Sequence, residues 1–368
     1  RVELRQTHIS VVFLAGDLVY KIKKPVNLGF LDFTTLERRR QDCEDELRLN
    51  RRLAPGVYLG VVPITQESLG AQARIEGSGP VVEWAVKMVR LPDEATLLAR
   101  VRRGEMSHSA LDQLAARLAR FHEVAERGDS ISALGRFEVV AGNARENFEQ
   151  SQWQVGTLVY RAVWDRLVAA NDSVLEDLRA TITSRADRGV PCDTHGDLHL
   201  DHVYWFPNRT PPEDWLFIDC LQFLPRFRFG DPISDMAFLV MDLAYHQRRD
   251  LARVFADSYL RSAADRDEGA GLVPFYAAYR AAVRAKVDGL KSREPEVEPE
   301  ARARAERSAR AHWLLALSLL EPPGRKPALL LIGGLPGSGK STLAGALGEH
   351  GHFEVLRTDV LRQALLER

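Results

Sequence analysis

THGDLHLDHVYWF, residues 194–206, and LFIDCLQF, residues 216–223, are the two stretches that decide the reading. The first places His195, Asp197, His199, Asp201 and His202 within eight positions. The second carries Asp219 at the end of an apolar run, 22 residues after Asp197. Both fall where the surrounding helical periodicity breaks into short strands. A cluster of this composition serves two kinds of chemistry. One is a metal site with His and Asp ligands. The other is a loop in which one carboxylate stands beside an acceptor hydroxyl while a later one holds a divalent cation on nucleotide phosphates.

His195-Gly196-Asp197-x-His199, then a strand, then Ile218-Asp219 on a second strand resembles the HGDxHxxN loop and following ID strand of the aminoglycoside/choline phosphotransferase family. That family shares the protein-kinase-like fold. The resemblance implies an α+β, bilobal protein-kinase-like chain. It implies Asp197 as the catalytic residue beside the acceptor hydroxyl, Asp219 as the Mg²⁺ ligand on ATP, and His195 as a brace without chemistry. Arg226-x-x-x-Gly230-Asp231-Pro232-x-x-Asp235 resembles the segment after the metal aspartate, so Asp231 and Asp235 are expected to cap a helix and brace the loop. One position departs from the pattern: His202 stands where the family carries a Mg²⁺-binding Asn. Mg²⁺ wants oxygen ligands in near-octahedral geometry, and imidazole is a poor substitute. His202 therefore stands as a metal-ligand candidate with three outcomes: one ion instead of two, water in place of the amide, or a lobe that binds nucleotide without turnover.

Upstream, SVVFLAGDLVYKIK (residues 10–23) sets two β-rich runs around Ala15-Gly16-Asp17, a hairpin signal. Lys21 and Lys23 share one face by period two. The resemblance implies that one lysine of this strand pairs with the ATP phosphates, and Lys21 is the expected one. Thr34-x-x-Glu37 reads as a capping box opening a helix over 34–54, stopped by Pro55-Gly56. Glu46 lies at the edge of that helix's apolar face, where it would pair with Lys21. Strands over 57–64, 71–76 and 81–89 complete a strand-rich lobe, residues 1–89. WAVKMVRLP (84–92) resembles the family's strand and hinge, where backbone groups meet adenine. Residues 6–10, at the place of a phosphate-covering loop, hold no glycine, and the strand before them is expected to lie upstream. Residues 90–320 read as a mostly helical lobe, in which His122 is expected to be a satisfied core histidine.

A proline-rich break at 321–326 precedes ALLLIGGLPGSGKSTL. Gly334-Leu335-Pro336-Gly337-Ser338-Gly339-Lys340-Ser341 matches GxxxxGK[ST], with an apolar strand expected over 328–332 and a helix over 342–347. Gly334, Gly337 and Gly339 let backbone N–H groups turn toward phosphate, and the helix start at Ser341-Thr342 adds partial positive charge. Lys340 would reach the β/γ-phosphates, and the Ser341 hydroxyl would ligate Mg²⁺. VLRTDVLR (355–362) resembles P-loop kinases of the gluconate-kinase and adenylylsulfate-kinase type, which implies that Asp359 faces an acceptor. Residues 327–368 are thus expected to be the start of an α/β P-loop domain, cut short of a full sheet. The pairing resembles bacterial fusions of an aminoglycoside-phosphotransferase-like domain with a P-loop kinase-like domain.

Composition narrows the classes further. The 368 residues carry 50 Lys+Arg against 51 Asp+Glu, a net charge of −1, which argues against a nucleic-acid binder or a polybasic membrane surface. Cys43, Cys192 and Cys220 lie far apart without a CxxC pair, so neither a disulfide framework nor a cysteine zinc site is expected, and a cytoplasmic location is. No uncharged apolar run approaches the ~18 residues of a membrane span. The expectation is an ATP- and Mg²⁺-dependent phosphotransferase acting on a hydroxyl of a small molecule, with a second, P-loop nucleotide unit. The alternative is a non-catalytic kinase-like module that regulates the P-loop unit. Protein phosphorylation is disfavoured, because no activation-loop-like segment separates Asp219 from Asp231.

Overall fold

Alternating apolar residues in the first 90 positions build an antiparallel sheet. β1 (Val2–Gln6), β2 (Ser10–Ala15), β3 (Leu18–Lys23), α1 (Leu36–Asn50), β4 (Tyr58–Thr65), β5 (Arg74–Ile75) and β6 (Val81–Val89) follow in chain order. The sheet order is β1-β2-β3-β6-β4-β5. The computed structural model describes residues 2–7, 9–27, 29, 31–68, 70–321, 329–351 and 355–357. The β2–β3 hairpin turns at Gly16, whose φ of +62° suits a residue without Cβ, and sets Lys21 opposite Val12 and Val86. The strand expected upstream of the chain is β1 itself, paired along its length with β2. It is exposed on both faces, which hides the period-two signal.

The capping box is displaced by one residue. Thr35, not Thr34, caps α1, its hydroxyl oxygen accepting from the Arg38 amide at 3.3 Å. Thr34 instead donates to Asp32 Oδ1 at 2.6 Å, so the nearby carboxylate outcompetes the cap. The helix also ends at Asn50 and not at Ala54. There Arg51 donates to the carbonyls of Tyr58 and Leu59, and Arg52 turns toward the 193–194 segment, pulling the chain out of helical geometry.

The helical lobe runs α2 (Leu97–Arg102), α3 (His108–Val124), α4 (Asp129–Leu134), α5 (Phe137–Ser151), α6 (Arg161–Asp187), β7 (Cys192–Asp193), β8 (Val203–Trp205), β9 (Trp215–Phe217), α7 (Pro225–Arg228), β10 (Phe229–Gly230), α8 (Pro232–Tyr245), α9 (Arg249–Ser262), α10 (Arg266–Lys291) and α11 (Pro299–Leu320). Its core is continuous. Leu111, Leu114 and Leu118 of α3 meet Phe255 and Tyr259 of α9, and α8 is buried over most of its length. Fully burying side chains of this size stabilises by roughly 1.5–3 kcal/mol each. β8 pairs with β9 and β7 with β10, so the two motif stretches form a small platform under the sheet-bearing lobe.

These elements form one compact unit, Arg1–Glu321; Pro322–Arg368 form a second. In the second, α12 (Lys340–Gly351) starts two residues before the expected Thr342. Of the strand expected over 328–332, the described residues 329–332 form none: residues 329–335 have no regular structure, and Leu329 and Leu331 are 84% and 86% exposed. A parallel strand needs neighbours to pair its amides and cover its faces, and the described residues of this unit supply none. Among the described residues no helix is long and apolar enough to cross a membrane.

Candidate active site

Five of the singled-out residues, from four segments of the chain, meet in one cluster. Lys21 of β3 donates to Glu46 Oε1 of α1 at 2.9 Å and to Asp219 Oδ1, just past β9, at 2.6 Å. Across Asp219, its Oδ2 lies 3.6 Å from His202 Nε2. His202 Nδ1 in turn donates to the Asp197 carbonyl at 2.8 Å and lies 3.6 Å from Asp197 Oδ2. The cluster therefore runs Glu46–Lys21–Asp219–His202–Asp197.

Charge in the cluster is compensated, and the titrations move accordingly. Burial disfavours the charge on Lys21, but Asp219 and Glu46 outweigh it and hold the ammonium well above its ordinary range. Burial likewise disfavours the carboxylates. Lys21 nonetheless holds Asp219 well below the usual carboxylate range, and Lys21 with Lys23 lowers Glu46. Asp219 has a positive φ of +62°, a conformation that Asp tolerates better than most residues. Its amide donates to the buried Tyr58 hydroxyl at 3.1 Å, which fixes the turn.

The loop carrying Asp197 is held from beneath. Asp235 of α8 accepts from the amides of His195 and Gly196, both at 2.9 Å, and also contacts His122 Nε2 at 3.1 Å. His122 completes its bonds with the Tyr259 hydroxyl at 2.7 Å, as a satisfied core histidine does. His195 donates from Nε2 to the Ile218 carbonyl at 2.9 Å, tying the two motif stretches together. Burial pushes its imidazole down to about 4, so it is neutral and structural at physiological pH. Gly196 has φ +84°, and a Cβ there would meet Leu221 Cβ at 3.1 Å and Arg228 Cα at 3.2 Å. Asp231 caps α8 and pairs with Arg185 at 2.7 Å.

Several contributors were not singled out from sequence. Lys23, with a fully buried side chain, contacts Glu46 Oε2 at 2.6 Å and Asp42 Oδ2 at 2.7 Å. Gln222 Nε2 adds a bond to Asp42 at 3.2 Å. Asn50 Oδ1 accepts from the Cys220 amide, and Arg52 donates to the carbonyls of Asp193 and Thr194. The signal for the first was present: Lys21 and Lys23 on one strand face, against Asp42 and Glu46 one helical turn apart. Asn50 and Arg52 left no signal, because their partners are backbone groups and, for Arg52, the Asp193 carboxylate and Cys220 Sγ more than 140 residues along the chain.

In the second unit, Gly337 and Gly339 have φ values of +80° and +82°, and Lys340 Nζ donates to the Leu335 carbonyl at 2.6 Å. Gly334 packs against Ser338, where a Cβ would meet Ser338 Oγ at 2.8 Å. Ser341 and Thr342 lie in the first turn of α12. Asp359 lies outside the described residues.

With this geometry in view, similarity places the chain among known proteins. It is 35% identical over 364 residues to the uncharacterized protein Rv2004c of Mycobacterium tuberculosis (strain H37Rv), covering 99% of this chain and 68% of that protein. The uncharacterized protein Mb2027c of Mycobacterium bovis matches to the same extent. The chain belongs to the family of these mycobacterial proteins. No family model matches it. The GDP complex of wild-type aminoglycoside 2'-phosphotransferase-IIIa superposes with a TM-score of 0.52 at 18% identity, covering 85% of this chain and 92% of that one. That likeness shows an aminoglycoside-phosphotransferase-type, protein-kinase-like fold, as the HGD and ID motifs implied.

Proposed function

We propose that residues 1–320 form an ATP-dependent phosphotransferase acting on a hydroxyl of a small molecule. The observation that carries the reading is the continuous chain of contacts from Glu46 through Lys21, Asp219 and His202 to Asp197. The fold shared with an aminoglycoside phosphotransferase, itself known in complex with GDP, supports it.

In this reading Lys21, oriented by Glu46, binds nucleotide phosphate oxygens. Asp197 accepts a hydrogen bond from the acceptor hydroxyl at its carboxylate, orients that oxygen for in-line attack, and takes up the proton as the bond to phosphorus forms. Asp219 Oδ2, which has no lysine on it, is a hard oxygen donor fitting a divalent cation such as Mg²⁺. When bound, that ion supplies neutralisation of phosphate charge. Positioning and electrostatics carry most of the rate in such transfers.

The Gly334–Ser341 loop is proposed as a second nucleotide site. Gly334, Gly337 and Gly339 would turn amides toward phosphate, Lys340 and Thr342 would contact it, and Ser341 would ligate its Mg²⁺. Asp359 is proposed to face an acceptor of that unit. A second reading of residues 1–320, a nucleotide-binding module that regulates the P-loop unit without turnover, is favoured only by the imidazole of His202 beside Asp219.

The test is phosphoryl transfer from γ-labelled ATP by the full chain across a panel of hydroxylated metabolites, with Asp197→Asn as control. Labelled product lost in Asp197→Asn supports the transferase. Nucleotide binding abolished by Asp219→Ala, with no product for any acceptor, supports the regulatory reading. Absence of nucleotide binding outside the P-loop unit removes both.

A further inference from the structure

The proposed phosphotransferase site contains a feature that an oxygen-only Mg²⁺ site does not need: two imidazoles, His199 and His202, among the carboxylates of Asp197 and Asp219. His202 donates from Nδ1 to the Asp197 carbonyl at 2.8 Å, a group that only accepts. In the neutral ring this bond fixes the tautomer and leaves the lone pair on Nε2. That lone pair lies 3.6 Å from Asp219 Oδ2. The other oxygen of Asp219 already accepts from Lys21 at 2.6 Å. Two acceptors thus face each other across a gap too long for a hydrogen bond.

His199 adds a second imidazole. Its ring lies against that of His202, tilted by 37° with centroids 3.7 Å apart, and its side chain is 13% exposed. Its ring makes no hydrogen bond among the described residues; its Nε2 lies 3.9 Å from Asp197 Oδ2. One donor atom from each of Asp197, His199 and His202 lies within 4.8 Å of the others.

We infer that His202 Nε2 and Asp219 Oδ2 are the protein ligands of a first-row divalent transition ion of the Mn²⁺ class, bound in preference to Mg²⁺. Imidazole favours such ions over Mg²⁺ by ligand softness. The Nδ1–H bond to a backbone carbonyl is the outer contact that holds a ligating imidazole in place.

The inference rests on the phosphotransferase reading for its role and is tested apart from it. Mn²⁺ affinity is measured on the full chain from the free-ion EPR signal without nucleotide, with Mg²⁺ as competitor. Pulsed EPR then looks for ¹⁴N coupling. All samples carry Ser341→Ala, so that the P-loop contributes no ion. The expected result is ¹⁴N coupling in the parent chain, and Mn²⁺ affinity at least about tenfold above its Mg²⁺ affinity. His202→Asn, and His202→Gln as a second variant checked for folding by its melting curve, should lose that margin and the coupling. Equal Mn²⁺ affinities in parent and variants, or no ¹⁴N coupling in the parent, overturn the inference. Coupling that survives His202→Asn and disappears in His199→Asn also overturns it, since the ion then sits on His199. The nitrogen signature with no phosphoryl transfer from ATP under either ion keeps the ion site and sinks the phosphotransferase. Transfer without the signature does the reverse.

Discussion

Lys23 provides the sharpest test of how the strand-rich lobe is held together. Its side chain is 0% exposed, and it donates to Glu46 Oε2 at 2.6 Å and contacts Asp42 Oδ2 at 2.7 Å. Burial works against its charge, but Glu46 and Asp42 outweigh burial and the nearby Lys21, so its pKa is raised. Lys23→Met keeps the stem and removes the cation. Glu46 still has Lys21 at 2.9 Å, whereas Asp42, 8% exposed, is left with the Gln222 amide at 3.2 Å. Removing one partner of a buried ion pair costs about 3–5 kcal/mol, and the surviving Lys21 contact places this case near about 3. Lys23→Met/Asp42→Leu removes the stranded carboxylate and should recover roughly 2 kcal/mol of that loss. Lys24→Met, one residue along, should stay within about 0.5 kcal/mol of the parent. Urea unfolding at pH 7, followed by tryptophan fluorescence, reads all three. The ATP KM should rise in Lys23→Met, because Glu46 loses one of its two anchors. A cost below about 1 kcal/mol for Lys23→Met, or a double variant less stable than the single one, refutes the argument.

Acid should weaken the loop brace with a defined sign. His195 titrates at about 4 when folded against 6.5 in a free chain, so between those values the unfolded state binds the extra proton. The stability it contributes is complete above pH 6.5 and declines as pH falls toward 4, by up to about 3 kcal/mol; His195→Gln should flatten that part of the stability–pH curve, and an unchanged slope would count against a buried neutral imidazole. Gly196→Ala adds a Cβ at φ +84° within 3.2 Å of the Arg228 backbone, so it should cost about 2–3 kcal/mol and lower transfer through a displaced Asp197. A melting temperature equal to that of the parent contradicts this. Lys340→Ala should remove one nucleotide equivalent from the calorimetric stoichiometry of the full chain and leave the other intact; loss of both would show that the two sites are not independent.

The motif stretches were legible because the chemistry they serve restricts residue type and spacing together. HGD, ID and the strand lysine name residues that the fold brings within hydrogen-bond or near-contact distance. The brace beneath them was partly legible, since an acid following a Pro at a helix start has few other uses, and Asp235 does accept from the His195 and Gly196 amides. What failed is what local signals cannot arbitrate. Thr34 and Thr35 are identical side chains, and the choice between them rests on Asp32. The β1 edge strand buries neither face. The apolar run before Gly334 has the composition of a strand, yet a strand is a property of pairs, and here the described residues hold no partner for it. Lys23 was passed over in favour of Lys21 because a strand lysine is ordinarily exposed, and only Asp42 and Glu46 together keep this one buried.

The same buried network bears on how the site is controlled. Glu46 reaches Lys21 only while α1 stays against the sheet and the loop platform. At its C-terminal end Asn50 bonds the Cys220 amide at 2.9 Å, and Arg52 bonds the Asp193 and Thr194 carbonyls at 3.1 and 3.2 Å while lying over the Phe121 ring. At its other end Arg39 pairs with Glu83 of β6 at 2.8 Å and donates to the Phe33 carbonyl at 2.8 Å. An outward swing of α1 breaks these bonds together with the Lys23 contacts to Asp42 and Glu46. At about 1 kcal/mol for each neutral hydrogen bond, and more for each to a charged group, the swing costs more than the few kcal/mol that separate interconverting states. The lysine–glutamate pair is therefore built in and not switched by helix movement. In the cluster the 3.6 Å Asp219–His202 gap is closed by no hydrogen bond, so under the proposed function ion binding there, and not a helix rearrangement, would set whether the site is competent.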